Sequence, residues 1–467
     1  MNWQQLMSPR HFVHVGQESN PIIRDDYDTI ICSTLFRRLQ DKAQVFPLDN
    51  DDYVRTRLTH SLEVSAIGKR LGTQVFRRLR DANMDSWFSH HTEKDFADVL
   101  LCAGLVHDIG NPPFGHFGEY AIREWFQNKL GSMYLGSRKV SEILTEWQQE
   151  DLLHFEGNAQ SLRLLSKTPY LGSRIGFNLS FAVLSSIMKY PISSIELKHQ
   201  NPRGYRKMGY HYAESELFRS MDEDMGLSGC RHPLSYLLEA ADDIAYRTSD
   251  LEDAMVKKVI SLQQILEEFE RQRILLAEHN TPSHRMVLQH MEKLTELYQE
   301  EKLNHRRKAE LTAVQRWNQY LQSVMVQDAT DSFVNHYEEL MQGTLRGDLF
   351  DGTASGYIIE IISELSDKCI YSNSIKTMPE LFGRRVIHSL LDQFMPAAIL
   401  FDTDKPATFI DRRTIDTVSD FYKSMYYSES AGKSEGDRLY LRILMITDYI
   451  SGMTDNYAKR LYQDLYV

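Results

Sequence analysis

Apolar residues along most of this chain recur at helical rather than strand spacing. In HSLEVSAIGKRLGTQVFRRL (60–79), Val64, Ile67, Leu71 and Val75 share one face with charges between them, as in an amphipathic helix. The stretch DFADVLLCAGLVHDI (95–109) is apolar nearly all round and predicts a largely buried helix, stopped by Gly110 and Pro112-Pro113. Similar patterns predict helices over 115–130, 157–166, 176–189, 232–260 and 261–280, and the Glu-, Lys-, Leu- and Gln-rich stretch 283–326 reads as long exposed helix. Alternating strand patterns are hard to find, while 131–150 and 198–215 read as loops or insertions. The expected class is all-α. No repeat or Gly/Ser linker marks a boundary, so the chain reads as one helical domain, with a core over about 20–260 and a helical C-terminal extension over about 261–467. Length alone leaves two domains open.

Composition narrows the class without naming it. With 42% apolar and 25% charged residues the chain is ordinary for a globular protein. No run of 18 apolar residues occurs, and the opening MNWQQLMSPRHFVH lacks a signal-peptide core. Four cysteines (32, 102, 230 and 369) without CxxC spacing suit reduced thiols in a cytoplasmic protein. A net charge of −12 disfavours a nucleic-acid coat, yet permits a local basic pocket for a small anion.

The chemistry concentrates in HDIGNPPFGHFGE (107–119), where histidines and carboxylates crowd against two prolines. His60 lies four, seven and eleven residues before Val64, Ile67 and Leu71, on their inward face. A lone histidine there is more often a satisfied core residue than a ligand. His107-Asp108 ends a helix too apolar for the surface, and a buried charge must be paired, neutralised or metal-bound. Asp242 continues through Tyr246 to Asp250 at i, i+4 spacing, whereas an i, i+4 pair with Arg247 accounts for Asp243. His60, His107, Asp108 and Asp242 thus offer a mixed nitrogen and oxygen set, suited to Mn, Fe, Zn or Mg.

That ordered H…HD…D set resembles the signature of HD-domain phosphohydrolases. Together with RRLQDKAQVFPL (37–48), RTRLTHSLEV (55–64), HFEGNAQ (154–160), EAADDIAY (239–246) and DYISGMTDNYA (448–458), it resembles bacterial deoxyguanosine triphosphate triphosphohydrolases. The resemblance runs from about residue 20 to 460, through helical character alone over much of 260–440. One departure is an insertion at 131–150 shorter than in the enterobacterial form.

The resemblance implies an HD-type helical fold and cleavage of a deoxynucleoside triphosphate, with dGTP the expected substrate, into deoxynucleoside and inorganic triphosphate. It implies a divalent cofactor, Mg or Mn first and Fe, Co or Zn as alternatives. His116 becomes the general acid for the leaving 5′ oxygen, and Glu119 orients and charge-tunes its imidazole. Asn111 and His154 support the metal site or touch phosphate. Arg57, Lys189, Tyr190 and Lys207 take the triphosphate, with Arg203 or Arg206 able to replace Lys207. Gln44 and Asp250 hold the 3′ hydroxyl while Tyr246 stacks on the sugar. Base contacts are expected partly from C-terminal segments and neighbouring subunits of a homo-oligomer, a hexamer in the family, with single-stranded DNA as effector. Two rivals stay open: an HD-type phosphodiesterase or nucleotidase, and a single-stranded-DNA-responsive regulator carrying an HD site.

Overall fold

The computed structural model describes residues 1–11, 23–49, 51–168, 177–201, 203–277, 282–304 and 307–467. Helix dominates, and the one small sheet among the described residues is a two-stranded antiparallel hairpin, Tyr134–Leu135 against Arg138–Lys139. The class is all-α, as the periodicity predicts.

The site rests on four helices. The His60 helix, Arg57–Asp81, opens at Thr56 with a capping box to Thr59 and buries His60, Val64, Ile67, Leu71 and Val75 in one stripe. It packs along Glu93–Val106 so closely that a Cβ at Gly104 would lie 2.6 Å from the Ser65 Cα. The Asp242 helix, Pro233–Val256, crosses both, with Pro233 at its first turn. The fourth, Gly115–Lys129, carries His116.

Two apolar cores divide the described chain. One gathers the N-terminal helices, the Asp242 helix and the segments from Ile260 to Ile370. The other joins helix Gly115–Lys129 and its neighbours up to Phe155 with Val386 to Ala458. Arg163, fully buried on helix Gly157–Lys167, ties them with charge, reaching Glu214 at 2.9 Å, Asp448 at 2.9 Å and Glu429 at 3.1 Å. Breaking one partner of such a buried set is costly, on the order of 3–5 kcal/mol.

Several expected elements differ. Helix Glu93–Val106 stops before Gly110, with His107 as its C-cap. Gly110 serves another need: a Cβ there would stand 2.1 Å from Ser161 N and 2.2 Å from Gly157 O, so only glycine lets the turn press on the next helix. The stretch 131–150 is not a loop; it holds the hairpin, helix Val140–Ile143 and the start of Glu146–Leu153, elements too short to show a period. Helix Ser194–His199 and the 3₁₀ turn Tyr212–Glu214 bracket the irregular part of 198–215. The helix expected over 176–189 is Phe181–Ser186, capped by Ser180, and position 176 lies outside the described residues. The stretch 283–326 is two helices, Pro282–Leu303 and Ala309–Asn335. The second is far from exposed, for Trp317, Leu321 and Met325 are buried against the His60 and Asp242 helices.

Candidate active site

Three donors converge where the His60 and Asp242 helices meet the end of Glu93–Val106. Nitrogens of His60 and His107 and a carboxylate oxygen of Asp242 all lie within 4.8 Å of one another. His60 Nε2 is 2.9 Å from Asp242 Oδ1, and His107 Nε2 is 3.7 Å from the same oxygen. His107 Nδ1 sits 2.8 Å from the Gly104 carbonyl, which holds a proton on Nδ1 and aims Nε2 inward. That buried Nε2 has no hydrogen-bond partner among the described residues. Two such imidazoles and a carboxylate fit a divalent ion of the first transition row or Mg. Burial works against charge on His107, yet Asp108 and Asp242 carry its pKa up to about 9. Burial likewise opposes the Asp242 carboxylate, but the neighbouring imidazoles of His107 and His60 hold its pKa well below the usual range.

Asp108 stands at the edge of this set. Its Oδ1 is 3.7 Å from His107 Nε2, but both oxygens are engaged, one by Arg57 and the other by Asn111 Nδ2. Burial raises its pKa less than Arg57 and His107 lower it, leaving it at about 2. Arg57 is itself buried, next to the start of the His116 helix: a Cβ on Gly115 would lie 2.9 Å from its Nη2.

Beyond Asn111 the chain turns through Phe114, a non-glycine residue at φ +65°, into helix Gly115–Lys129. Such a backbone costs on the order of 1–3 kcal/mol and persists only where its surroundings fix it. Here Asp455 fixes it, accepting from Phe114 N at 3.0 Å and from Ala43 N at 3.2 Å. Buried Lys42 completes the brace by donating to the carbonyls of Asn111 and Ser451.

His116 follows with its side chain 76% exposed and Nδ1 3.6 Å from Glu119 Oε2. Glu119 is buried, and its other oxygen accepts from Gly157 N at 3.1 Å. Burial opposes its charge, while His116, Lys207 and Arg123 hold its pKa down. Gly157 is pinned between Glu119 and Asn111, whose oxygens would stand 2.5 and 2.2 Å from a Cβ there. One glycine therefore connects the His116–Glu119 pair to the Asn111 turn.

The expected phosphate ligands are already charge-paired. Lys207 reaches Glu156 at 3.0 Å and Glu119 at 4.0 Å. Lys189 pairs with Glu239, which also takes Arg231 at 2.7 Å, and its ammonium lies 5.7 Å from the centre of the Tyr190 ring. Arg203 donates to the Gly343 carbonyl and Cys230 Sγ, so it is occupied elsewhere. His154 turns back to its own helix, with Nδ1 3.1 Å from the Glu150 carbonyl. Asp243 lies 3.9 Å from Arg247, and burial with neighbouring Asp242 lifts its pKa to about 7.

Further along the Asp242 helix, Tyr246, Asp250 and a residue the sequence did not single out, Tyr371, form one chain. Tyr371 Oη lies 2.7 Å from Tyr246 Oη and donates to Asp250 Oδ2 at 2.8 Å. It comes from the π-helical turn Asp367–Tyr371, a widened geometry often found at sites. Asp250 is buried, its Oδ1 has no partner among the described residues, and burial pushes its pKa up to about 7. Gln44 Oε1 is buried and without a partner as well.

A three-donor cluster built from H…HD…D on helices defines an HD-domain phosphohydrolase, and the HD domain family model matches residues 57–159. Relatives extend the likeness over the whole chain. It is 39% identical over 474 residues to a deoxyguanosinetriphosphate triphosphohydrolase-like protein of Listeria monocytogenes, covering 100% of this chain and 99% of that one. A protein of the same description from Pseudomonas aeruginosa is 31% identical, with 100% and 98% covered. The deoxyguanosinetriphosphate triphosphohydrolase of Salmonella schwarzengrund is 30% identical, with 100% and 97% covered. The chain belongs to the deoxyguanosinetriphosphate triphosphohydrolase-like family. Among the described residues no helix is long and apolar enough to cross a membrane.

Proposed function

We propose that this protein is a metal-dependent deoxynucleoside triphosphate triphosphohydrolase that takes dGTP and releases deoxyguanosine and inorganic triphosphate. The observation that carries the reading is the meeting of His60, His107 and Asp242 around one point, with Arg57-Asp108 beside it and the His116–Glu119 pair on the adjoining helix.

His60, His107, Asp108 and Asp242 would hold a divalent ion (Mg or Mn, with Fe, Co or Zn as alternatives), which would supply Lewis-acid polarisation of the α-phosphate and an acidified water. Arg57, Lys189, Tyr190 and Lys207 receive the triphosphate, with Asn111 and His154 nearer the metal-bearing turn. Entering phosphates offset the lysines in place of Glu239 and Glu156. His116 donates its proton to the departing 5′ oxygen, and Glu119 stabilises the imidazolium before transfer. Tyr246 packs on the deoxyribose, Gln44 bonds its 3′ hydroxyl, and the vacant lone pairs of Asp250 Oδ1 accept from that hydroxyl.

The core over about 20–260 and the extension over about 261–467 work as one unit in this reading, because Tyr371 and Asp455 complete the site from the far end of the chain. A cytoplasmic homo-oligomer, hexameric and responsive to single-stranded DNA, belongs to the same proposal. Incubation with each of four dNTPs and Mn²⁺ or Mg²⁺, with product identification, tests it. Triphosphate and deoxyguanosine from dGTP support it. Monophosphate or diphosphate products favour the phosphodiesterase or nucleotidase reading, and binding of single-stranded DNA without turnover favours the regulator.

A further inference from the structure

Two buried carboxylates, Glu119 and Glu156, share one cation where helix Gly157–Lys167 begins. Each is 1% exposed, and Lys207 Nζ lies 3.0 Å from Glu156 Oε1 and 4.0 Å from Glu119 Oε2. Their other partners are unequal. Glu119 has His116 Nδ1 at 3.6 Å, Arg123 Nη2 at 3.9 Å and the Gly157 N–H donating at 3.1 Å. Glu156 has one neutral donor, Asn158 Nδ2, at 2.8 Å from Oε1, and its buried Oε2 has no hydrogen-bond partner among the described residues. Glu156 occupies the N-cap of its helix yet makes no capping bond, so the usual reason for an acid there is missing.

Two carboxylates in one buried site repel, and one of such a pair gives up its charge unless a cation offsets it. Burial and the Glu119 charge push the Glu156 pKa up, against the pull of Lys207. Burial opposes the charge on Glu119 too, but His116, Lys207 and Arg123 hold its pKa down. Lys207 is the member that can leave: its side chain is 33% exposed while both acids are closed off. A phosphate group competes well for its ammonium.

We propose that phosphates entering the site draw Lys207 off Glu156, and that Glu156 then takes one proton from the buffer onto its free oxygen. The inference rests on the proposed role of Lys207 as a phosphate ligand. Once the lysine has gone, the proton settles on Glu156, because Glu119 still has His116, Arg123 and the Gly157 amide. Glu119 therefore stays ionised beside the His116 imidazolium while the charge of Lys207 passes wholly to the phosphates. Departure of triphosphate returns Lys207 and expels the proton, so charge balances over a turnover. Glu156 is thus a positioning residue, one that acts on substrate only through Lys207 and Glu119.

Calorimetric titration of the full chain with inorganic triphosphate, which undergoes no turnover to deoxynucleoside, tests this. Performed with Mg²⁺ near pH 7.5 in Tris and in HEPES, whose heats of ionisation differ, it counts the protons taken up on binding. Wild type should take up about one proton more than Glu156→Gln, an isostere that cannot titrate. Protons exchanged by triphosphate, the metal and His116 are common to both proteins and cancel. Wild-type affinity should correspondingly fall with rising pH more steeply than that of the variant, by about tenfold per pH unit. Lys207→Met, a second variant, removes the shared cation from the start. It should bind about tenfold more weakly or worse and give the proton count of Glu156→Gln. Equal proton counts in wild type and Glu156→Gln, with binding still weakened in Lys207→Met, overturn this proposal alone. Wild-type affinity in Lys207→Met removes the lysine from the phosphate site, and no binding to wild type counts against the proposed reaction; either result overturns the proposal with it.

Discussion

Tyr371 donates its hydroxyl to Asp250 Oδ2 at 2.8 Å, across a sequence separation of 121 residues. Asp250 Oδ1 is left as the buried acceptor, so a substrate hydroxyl entering there would meet a lone pair with no competing donor. Asp250→Ala should therefore slow turnover of ordinary dNTPs far more than of 2′,3′-dideoxy substrates, which lack the hydroxyl. Comparing kcat/KM for both substrates in both proteins checks this, and equal losses would remove Asp250 from the sugar site.

The same carboxyl gives a pH prediction. Burial raises its folded-state pKa to about 7, above the ordinary value near 3.9, so the fold holds the proton more tightly than the unfolded chain. Its stabilising contribution is complete below about pH 4 and is lost as pH rises through about 7. Asp250→Asn, a fixed mimic of the protonated form, should flatten this part of the profile and gain on wild type at pH 8 by on the order of a few kcal/mol. Thermal unfolding of both proteins between pH 4 and 8 reads it out; parallel curves would contradict it.

His107→Ala should abolish both metal retention and activity, because it removes a nitrogen that already faces His60 and Asp242. Metal content after dialysis and turnover under saturating Mn²⁺ measure the two losses. Full turnover by rigorously metal-free wild-type protein would refute the metal role.

His116 is exposed and, among the charged groups of the described residues, pairs only with Glu119, so His116→Ala should leave fold and metal intact. Its kcat should nonetheless fall at least about 100-fold, the usual worth of general acid catalysis. A kcat within a few-fold of wild type would make this histidine an ordinary first-turn residue of its helix.

Gly157→Ala tests the connection between proton-transfer pair and metal turn. The added methyl would stand 2.2 Å from Asn111 Oδ1 and 2.5 Å from Glu119 Oε1, forcing both aside. The expected cost is about 1–3 kcal/mol of stability, with turnover reduced well beyond what the residual folded fraction explains. A variant with wild-type melting temperature and kcat would show that the site tolerates the displacement.

Local chemistry made much of this legible in the chain. His60 shares a 3.6-residue stripe with Val64 and Leu71, and Asp242, Tyr246 and Asp250 share another, so their placement follows from helix geometry alone. Gly110 was harder: its reason is Ser161, 51 residues away, and no local pattern encodes that approach. Asp108 reads as a ligand in the dipeptide, while its contacts with Arg57 and Asn111 in the folded chain are not encoded there. Tyr371 and Asp455 carry no periodic signal toward the site, since their partners come from distant segments. The hairpin and short helices within 131–150 escape detection because two to four residues are too few to show a period.

The grip of Asp455 on Phe114 has a consequence for the chain while it is being made. Both histidines of the candidate metal cluster are made by position 107, but the carboxylate that keeps Phe114 at φ +65° is added only at position 455. Until then the backbone at Phe114 can relax to an unstrained angle, carrying His116 away from the cluster. A nascent chain that has not yet reached Asp455 should thus carry the donors of the cluster without the brace that seats His116 beside them.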